Sequence, residues 1–325
     1  MKALYPLRLT GVTKSPIWGG TALLRDWKKT SVCSTVGESW ELTVRRDEVC
    51  RITNGRLAGC SLAELIRDYG KALTGFACEA ENFPLLIKLI DAQDSLSVQV
   101  HPDDAYASRV ENDRGKTEMW YIVDADAGAE LICGLADGVG KEELTAAVQE
   151  GRIETALQRR TVKPGEVYFI PAGLAHAIGK GILIAEIQQN SDLTYRVFDY
   201  NRRDREGRLR ELHIEKALDV IRPFSDDEIN AIRYARTGGV AESPEVLADC
   251  TYFRVEKRVL EEQASVISQA GVMRHLLCLA GEAVLEHEGV CYRVSKGDSW
   301  LLPAELTEVK ASGDATLLIT RANMN

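Results

Sequence analysis

Leu96-Ser-Val-Gln99-Val-His101-Pro-Asp-Asp104 is the stretch whose reading decides the fold. Apolar and polar residues alternate, so Leu96, Val98 and Val100 face one side of a strand and Ser97, Gln99 and His101 the other. After the Gly115 turn, Lys116 to Val123 reads as a second strand with Lys116 and Glu118 on one face. A third segment, Gly165-Glu-Val-Tyr-Phe-Ile-Pro171-Ala-Gly173-Leu-Ala-His176, is a short apolar strand bounded by Gly and Pro, ending in a turn that carries one histidine.

Gln99, His101, Glu118 and His176 are therefore candidate metal donors. Each also has an ordinary reading: a hydrogen-bonded amide, an ion-pair partner of Lys116, a histidine capping backbone groups. Two of the five histidines of the chain fall in this one constellation, which favours the metal. His213, His275 and His287 read as structural or solvated, with His287 at an exposed hairpin tip. A neutral amide oxygen, two neutral imidazoles and one carboxylate leave a divalent ion with net positive charge and an open position, so it stays a Lewis acid. A structural zinc site would recruit thiolates, and the eight cysteines contain no close pair such as C-x-x-C.

The chain is long enough, at 325 residues, for two domains around sizeable cores. Its net charge of −9 provides no basic footprint for nucleic acid. No stretch approaches the roughly 20 apolar residues of a membrane span, and Met1 to Arg8 holds no apolar run of secretion-signal length. A cytoplasmic, reducing location is the expectation, and no feature specifies an oligomeric state.

Strands are expected at Ser39–Arg45 and Leu85–Ile90. Between them, Ser61 with Glu64 matches a capping box and Gly70 a stop, giving a helix. Pro102 is expected in the first turn of another helix. Lys141 to Arg159 reads as two short helices broken at Gly151, and Leu212–Ile221 and Asp226–Arg236 carry helical spacing. The segment Gly165 to Ala172 recurs as Gly297-Asp-Ser-Trp-Leu-Leu-Pro303-Ala304, an internal repeat. In the later copy Glu305 stands where the first has Gly173, and Glu308 where it has His176. The expected fold is mainly β, two barrels of related design with additional α-helices; the spacing of the Gly165 to His176 segment resembles the second metal motif of the cupin (jelly-roll) barrels. Residues 1–238 would form the catalytic barrel and 239–325 a degenerate, metal-free one, divided near Gly238-Gly239.

Leu96 to His101 with Pro-Asp-Asp resembles the signature of the type I mannose-6-phosphate isomerases, which are zinc-dependent cupins. Ile17-Trp-Gly-Gly20, Gly37-Glu-Ser-Trp40, Gly115-Lys-Thr-Glu-Met-Trp120 and Ile170-Pro-Ala-Gly-Leu-Ala-His176 follow in the family's order. The resemblance implies one Zn2+ on Gln99, His101, Glu118 and His176, a functional Arg196, and active-site roles for Lys116 and Asp192. It also implies a sugar phosphate substrate, mannose 6-phosphate exchanging with fructose 6-phosphate through a cis-enediolate. Such chemistry needs an electrophile and a base: Arg196 would support the first, and Lys116, Glu186 or Asp192 would supply the second. The chain is short and lacks the long form's lysine after the arginine, so Ser97, Arg202 or Arg203 become candidates for the phosphate. Two rivals share the fold: a cupin oxygenase and a non-catalytic sugar-binding cupin.

Overall fold

The computed structural model describes residues 3–204, 206–234, 244–262 and 264–323. The fold is mainly β, with strands gathered into large sheets of nine, seven and five members and helices inserted between them. The seven-stranded sheet runs Arg233–Tyr234, Val167–Ile170, Glu118–Ala125, Ile182–Gln189, Leu85–Ala92, Glu38–Leu42, Val12–Lys14. The five-stranded sheet runs Leu157–Thr161, Glu130–Leu135, His176–Ile178, Val98–Val100, Tyr195–Phe198.

The central strands Leu85–Ala92 and Ile182–Gln189 of the seven-stranded sheet are buried on both faces, which explains the near-continuous apolar run of Leu85–Ala92. Leu85, Ile87, Leu89, Leu183, Ala185 and Ile187 point into the core shared with the nine-stranded sheet, alongside Phe253, Val255 and Leu276. The opposite face, carrying Ile90, Ile122, Ile182 and Ile184, packs against Leu131, Cys133 and Ile178 of the five-stranded sheet. That second face changes character along its length. By the two-residue period, Ile182 and Ile184 are followed by Glu186 and Gln188, and Ile90 is preceded by Lys88. One end of the inter-sheet space is thus apolar packing and the other is polar.

Short residues in the first block of the sequence hold this sheet's edge close. A Cβ on Gly19 would lie 2.5 Å from the Gly37 nitrogen, and one on Gly20 would lie 2.4 Å from the Asp91 carboxylate. Gly115 is equally constrained, by the backbone of Asp103 and Asp104 at 2.5 Å.

The two copies of the repeat match in structure: Gly165 and Gly297 both take left-handed backbone, at φ 90° and 87°, and open strands Val167–Ile170 and Ser299–Leu302. The division expected near Gly238-Gly239 lies outside the described residues. Sheet membership crosses it, because Leu7–Thr10 pairs with Ser299–Leu302 inside the nine-stranded sheet.

Several local expectations need correction. The capping box of Ser61 and Glu64 is present and Gly70 ends the helix Leu62–Tyr69. Pro102, however, lies outside its helix, since Asp103 is the N-cap of Asp104–Glu111 and its carboxylate accepts the Tyr106 N–H. Only Lys141–Gln149 is α-helical in the next stretch; after Gly151 the chain forms a short 3-10 turn and then strand Leu157–Thr161, whose alternating burial outweighs helical spacing. The helices Ile214–Val220 and Asp226–Ile232 form, the second giving way to Arg233–Tyr234. His287 does adjoin a hairpin turn at Glu288-Gly289, but it is buried and donates from Nδ1 to the Glu308 carbonyl at 2.7 Å.

Candidate metal centre and active site

The polar end of the inter-sheet space is built by register. His176 pairs with Gln99 and Gln99 with Arg196 in the five-stranded sheet, while Glu118 pairs with Gln188 in the seven-stranded sheet. Side chains from both sheets meet. One candidate donor atom each from His101, Glu118 and His176 lies within 4.8 Å of the others, and all three residues are fully buried. Glu118 Oε2 is 3.5 Å from His101 Nε2, Glu118 Oε1 is 3.5 Å from His176 Nε2, and the Gln99 amide nitrogen is 3.4 Å from His176 Nε2. A half-turn of the Gln99 amide presents its oxygen at that place.

Both imidazoles are oriented from behind. His101 Nδ1 lies 2.8 Å from the Leu193 carbonyl and His176 Nδ1 2.9 Å from the Leu174 carbonyl. A carbonyl only accepts, so each Nδ1 carries the proton and each Nε2 lone pair faces the shared space. Burial keeps both rings neutral: it takes His176 down to about 4 and, with Lys116 and His176 beside it, holds His101 well below its usual range.

Glu118 is the least satisfied group of the site. Neither carboxylate oxygen has a hydrogen bond, although Lys116 Nζ stands 3.1 Å away as an ion-pair partner. Burial and then the charge of Glu186 push its carboxyl up to about 7, against the pull of Lys116 and Lys88. A buried carboxylate with one cationic neighbour, facing two neutral imidazole lone pairs and an amide, has the chemistry of a cation site. Among the described residues no other His, Cys, Asp and Glu group approaches this arrangement.

Lys116 Nζ also lies 3.1 Å from His101 Nε2, so its amine touches two of the donors. Glu186 is engaged differently. It accepts from Lys88 Nζ at 2.9 Å and from Trp120 Nε1 at 3.1 Å. Burial alone would raise the Glu186 carboxyl; Lys88 and Lys116 outweigh it and hold it below the ordinary range. Arg196 is fixed by Ser97 Oγ at 3.2 Å and by the Glu211 carbonyl at 2.8 Å, with its backbone N–H on His213 Nδ1. Asp192 is not brought into the donor cluster: its exposed carboxylate faces Arg45 at 3.9 Å, while the next residue, Leu193, holds His101 through the backbone. Arg203 donates to the Gly207 carbonyl, and Arg202 to Asp199 and the Ser95 carbonyl.

Lys88 is the residue that reading the sequence missed. Its place in an apolar strand masked it, although one charged residue inside a run buried on both sides was the available signal. Each buried ion costs several kcal/mol of desolvation, more than the about 1.5–3 kcal/mol that a buried aliphatic side chain contributes. A pair kept at core positions is therefore a poor stabiliser and a good mark of function. Removing one partner exposes that cost: Lys88→Met is expected to lower unfolding free energy by about 3–5 kcal/mol in urea titrations. Lys88→Met with Glu186→Leu should recover most of it, and an unrecovered double variant would contradict the pairing.

The opposed sheets and the donor set define a cupin with a site suited to a metal. The type I phosphomannose isomerase catalytic-domain model matches residues 7–126, and the mannose-6-phosphate isomerase cupin-domain model matches residues 245–322. Mannose-6-phosphate isomerase ManA of Bacillus subtilis is 40% identical over 316 residues, spanning 97% of this chain and 98% of that protein. The mannose-6-phosphate isomerase of Streptococcus mutans is 36% identical over 318 residues, 98% of each. The crystal structure of mannose 6-phosphate isomerase from B. subtilis superposes with a TM-score of 0.87 at 34% identity, covering 98% of this chain and 99% of that one. The chain belongs to the type I mannose-6-phosphate isomerase family.

Proposed function

We propose that the protein interconverts mannose 6-phosphate and fructose 6-phosphate, with one Zn2+ held by Gln99, His101, Glu118 and His176. The observation that carries the reading is the buried Glu118 carboxylate, ion-paired with Lys116 and facing two imidazoles already fixed as Nε2 donors. Near-full-length relatives named for this activity support the substrate. When bound, the metal supplies Lewis acidity toward the sugar's carbonyl and adjacent hydroxyl oxygens.

The chain's own groups supply the rest. Arg196, fixed by Ser97 and Glu211, places a positive charge beside Gln99 for the oxygen that gains negative charge as the C–H proton leaves. Lys116 is the better placed base, because its amine reaches the donor atoms while Glu186 is committed to Lys88 and Trp120. With Glu118 and His101 holding a metal, Lys116 would no longer serve as their partner, and its amine would be free to carry the proton between C1 and C2. The Glu186–Lys88 pair holds the sheet's polar face in shape around it. Arg202 and Arg210 flank Asp199 near Arg196 and give this side of the site the positive field a sugar phosphate needs. Asp192 sits at the exposed rim, a candidate for sugar hydroxyls.

The protonation states set the pH dependence of metal uptake. Glu118, at about 7 without metal, must lose a proton to bind, whereas His176, at about 4, is already neutral above pH 5. Zn2+ affinity should therefore fall about tenfold per unit as pH drops from 7 to 5, with about one proton released per metal. Competition titrations across that range measure the slope. A slope of two or more would mean that the imidazoles also compete.

The substrate assignment is tested by coupled assay with mannose 6-phosphate under anaerobic conditions, where isomerisation proceeds and a cupin oxygenase stops. Absence of turnover with metal fully loaded would favour a sugar-binding protein. The eight free cysteines suit a cytoplasmic location, and among the described residues no helix is long and apolar enough to cross a membrane.

A further inference from the structure

The internal repeat extends from sequence into strand register. In the first copy Ile170 pairs with Glu118, Glu118 with Gln188, and Gln188 with Leu86. In the second, Leu302, which matches Ile170, pairs with Arg274. The pair His275↔Thr320 sets Arg274 and Arg321 one step along on neighbouring strands, and Arg321 pairs with Arg254. Arg274 thus holds the register position of Glu118. A guanidinium stands where the first copy has its candidate ligand carboxylate, so the charge of the position is inverted.

These residues line a cavity of about 240 Å³ with Glu256, Arg258 and Ser268. Arg254 bonds to Glu256 at 2.9 Å and Asp249 at 2.6 Å, Arg258 to Glu256 at 3.3 Å and the Val266 carbonyl at 2.8 Å, and Arg274 to Ser268 Oγ at 3.1 Å. Four guanidinium groups against two carboxylates leave the cavity positive in a chain of net charge −9. Arg321 directly faces Arg254 across the strands and makes no side-chain hydrogen bond or ion pair among the described residues. Like charges in that relation destabilise a sheet unless an anion lies between them. Burial and then Arg321 hold the Arg274 guanidinium below its usual range, the effect expected where positive charges converge. Arg258 Nε is also buried without an acceptor.

We propose that this cavity, the counterpart of the metal centre in the second copy of the repeat, binds a phosphate group, free or as a phosphomonoester. Guanidinium forks match phosphate oxygens two at a time, and forks arriving from three strands suit a tetrahedral group with acceptors on every side better than a flat carboxylate.

The test is calorimetric titration of the metal-loaded protein with inorganic phosphate and, separately, with mannose 6-phosphate. The unsubstituted protein is compared with Arg321→Gln, so that anion binding at the isomerase site is the same on both sides of the comparison. A second binding event is expected beside that of the isomerase site, and Arg321→Gln is expected to weaken it by about tenfold or more, the loss of one charge-assisted contact. Equal affinity of the two ligands in this second event identifies free phosphate; tighter binding of the sugar phosphate identifies the phosphomonoester. One binding event only, or two left unchanged by Arg321→Gln, overturns the proposal. Isomerase turnover retained in Arg321→Gln alone establishes that the fold is intact. Should that variant fail to fold, unmodified crystals soaked in phosphate decide: density against Arg274 and Arg321 supports the site, and an empty cavity at saturating phosphate refutes it.

Discussion

His101→Ala should lose most of its metal and lower kcat/KM by about 10²–10³-fold, the loss of one preorganised electrophilic contribution or more. His101 contributes a neutral Nε2 donor whose direction is set by the Leu193 carbonyl. Without it, Glu118 keeps Lys116 as an ion-pair partner, and His176 and Gln99 remain on the five-stranded sheet. The cation then loses one donor, and the ammonium of Lys116 competes more effectively for the carboxylate. Metal analysis and the coupled assay should report parallel losses. Full metal content in a crippled enzyme would move His101 from ligand to another role.

Arg196→Ala should behave oppositely with respect to metal. Arg196 lies beside Gln99 in register but is bound to Ser97 and the Glu211 carbonyl, none of which is a proposed donor. Its removal should leave metal content intact while turnover falls by about 10²–10³-fold, since it withdraws a fixed charge from the oxygen that becomes negative. The effect should appear mainly in kcat, because that charge matters most in the transition state. Metal loss equal to that of His101→Ala would make Arg196 a support of the metal site.

Much of this was legible in the sequence because it depends on period and register. Alternation from Leu96 to His101 placed Ser97, Gln99 and His101 on one face, and the structure has Ser97 on Arg196 and Gln99 on His176. The repeat of Gly-x-x-x-x-x-Pro-Ala was visible because its turn requires left-handed backbone in both copies. What stayed hidden was set by tertiary packing. Lys88 looked like part of an apolar strand, and only the Glu186↔Lys88 register shows why a charge is tolerated there. The role the resemblance implies for Asp192 carried no position: its exposed carboxylate faces Arg45 at the rim, and it is the backbone of the next residue, Leu193, that holds His101. The stretch after Gly151 had helical spacing, but pairing with Glu130–Leu135 made Leu157–Thr161 a strand. His287 seemed exposed because a turn follows it, whereas a carbonyl across the sheet buries it.

The most direct measurement is turnover of mannose 6-phosphate to fructose 6-phosphate by protein stripped with a chelator, verified metal-free, and titrated back with Zn2+. Activity should vanish on stripping and return in proportion to bound metal, levelling off at about one ion per chain. An undiminished rate in verified metal-free protein would contradict the role of Gln99, His101, Glu118 and His176 as ligands of a catalytic ion.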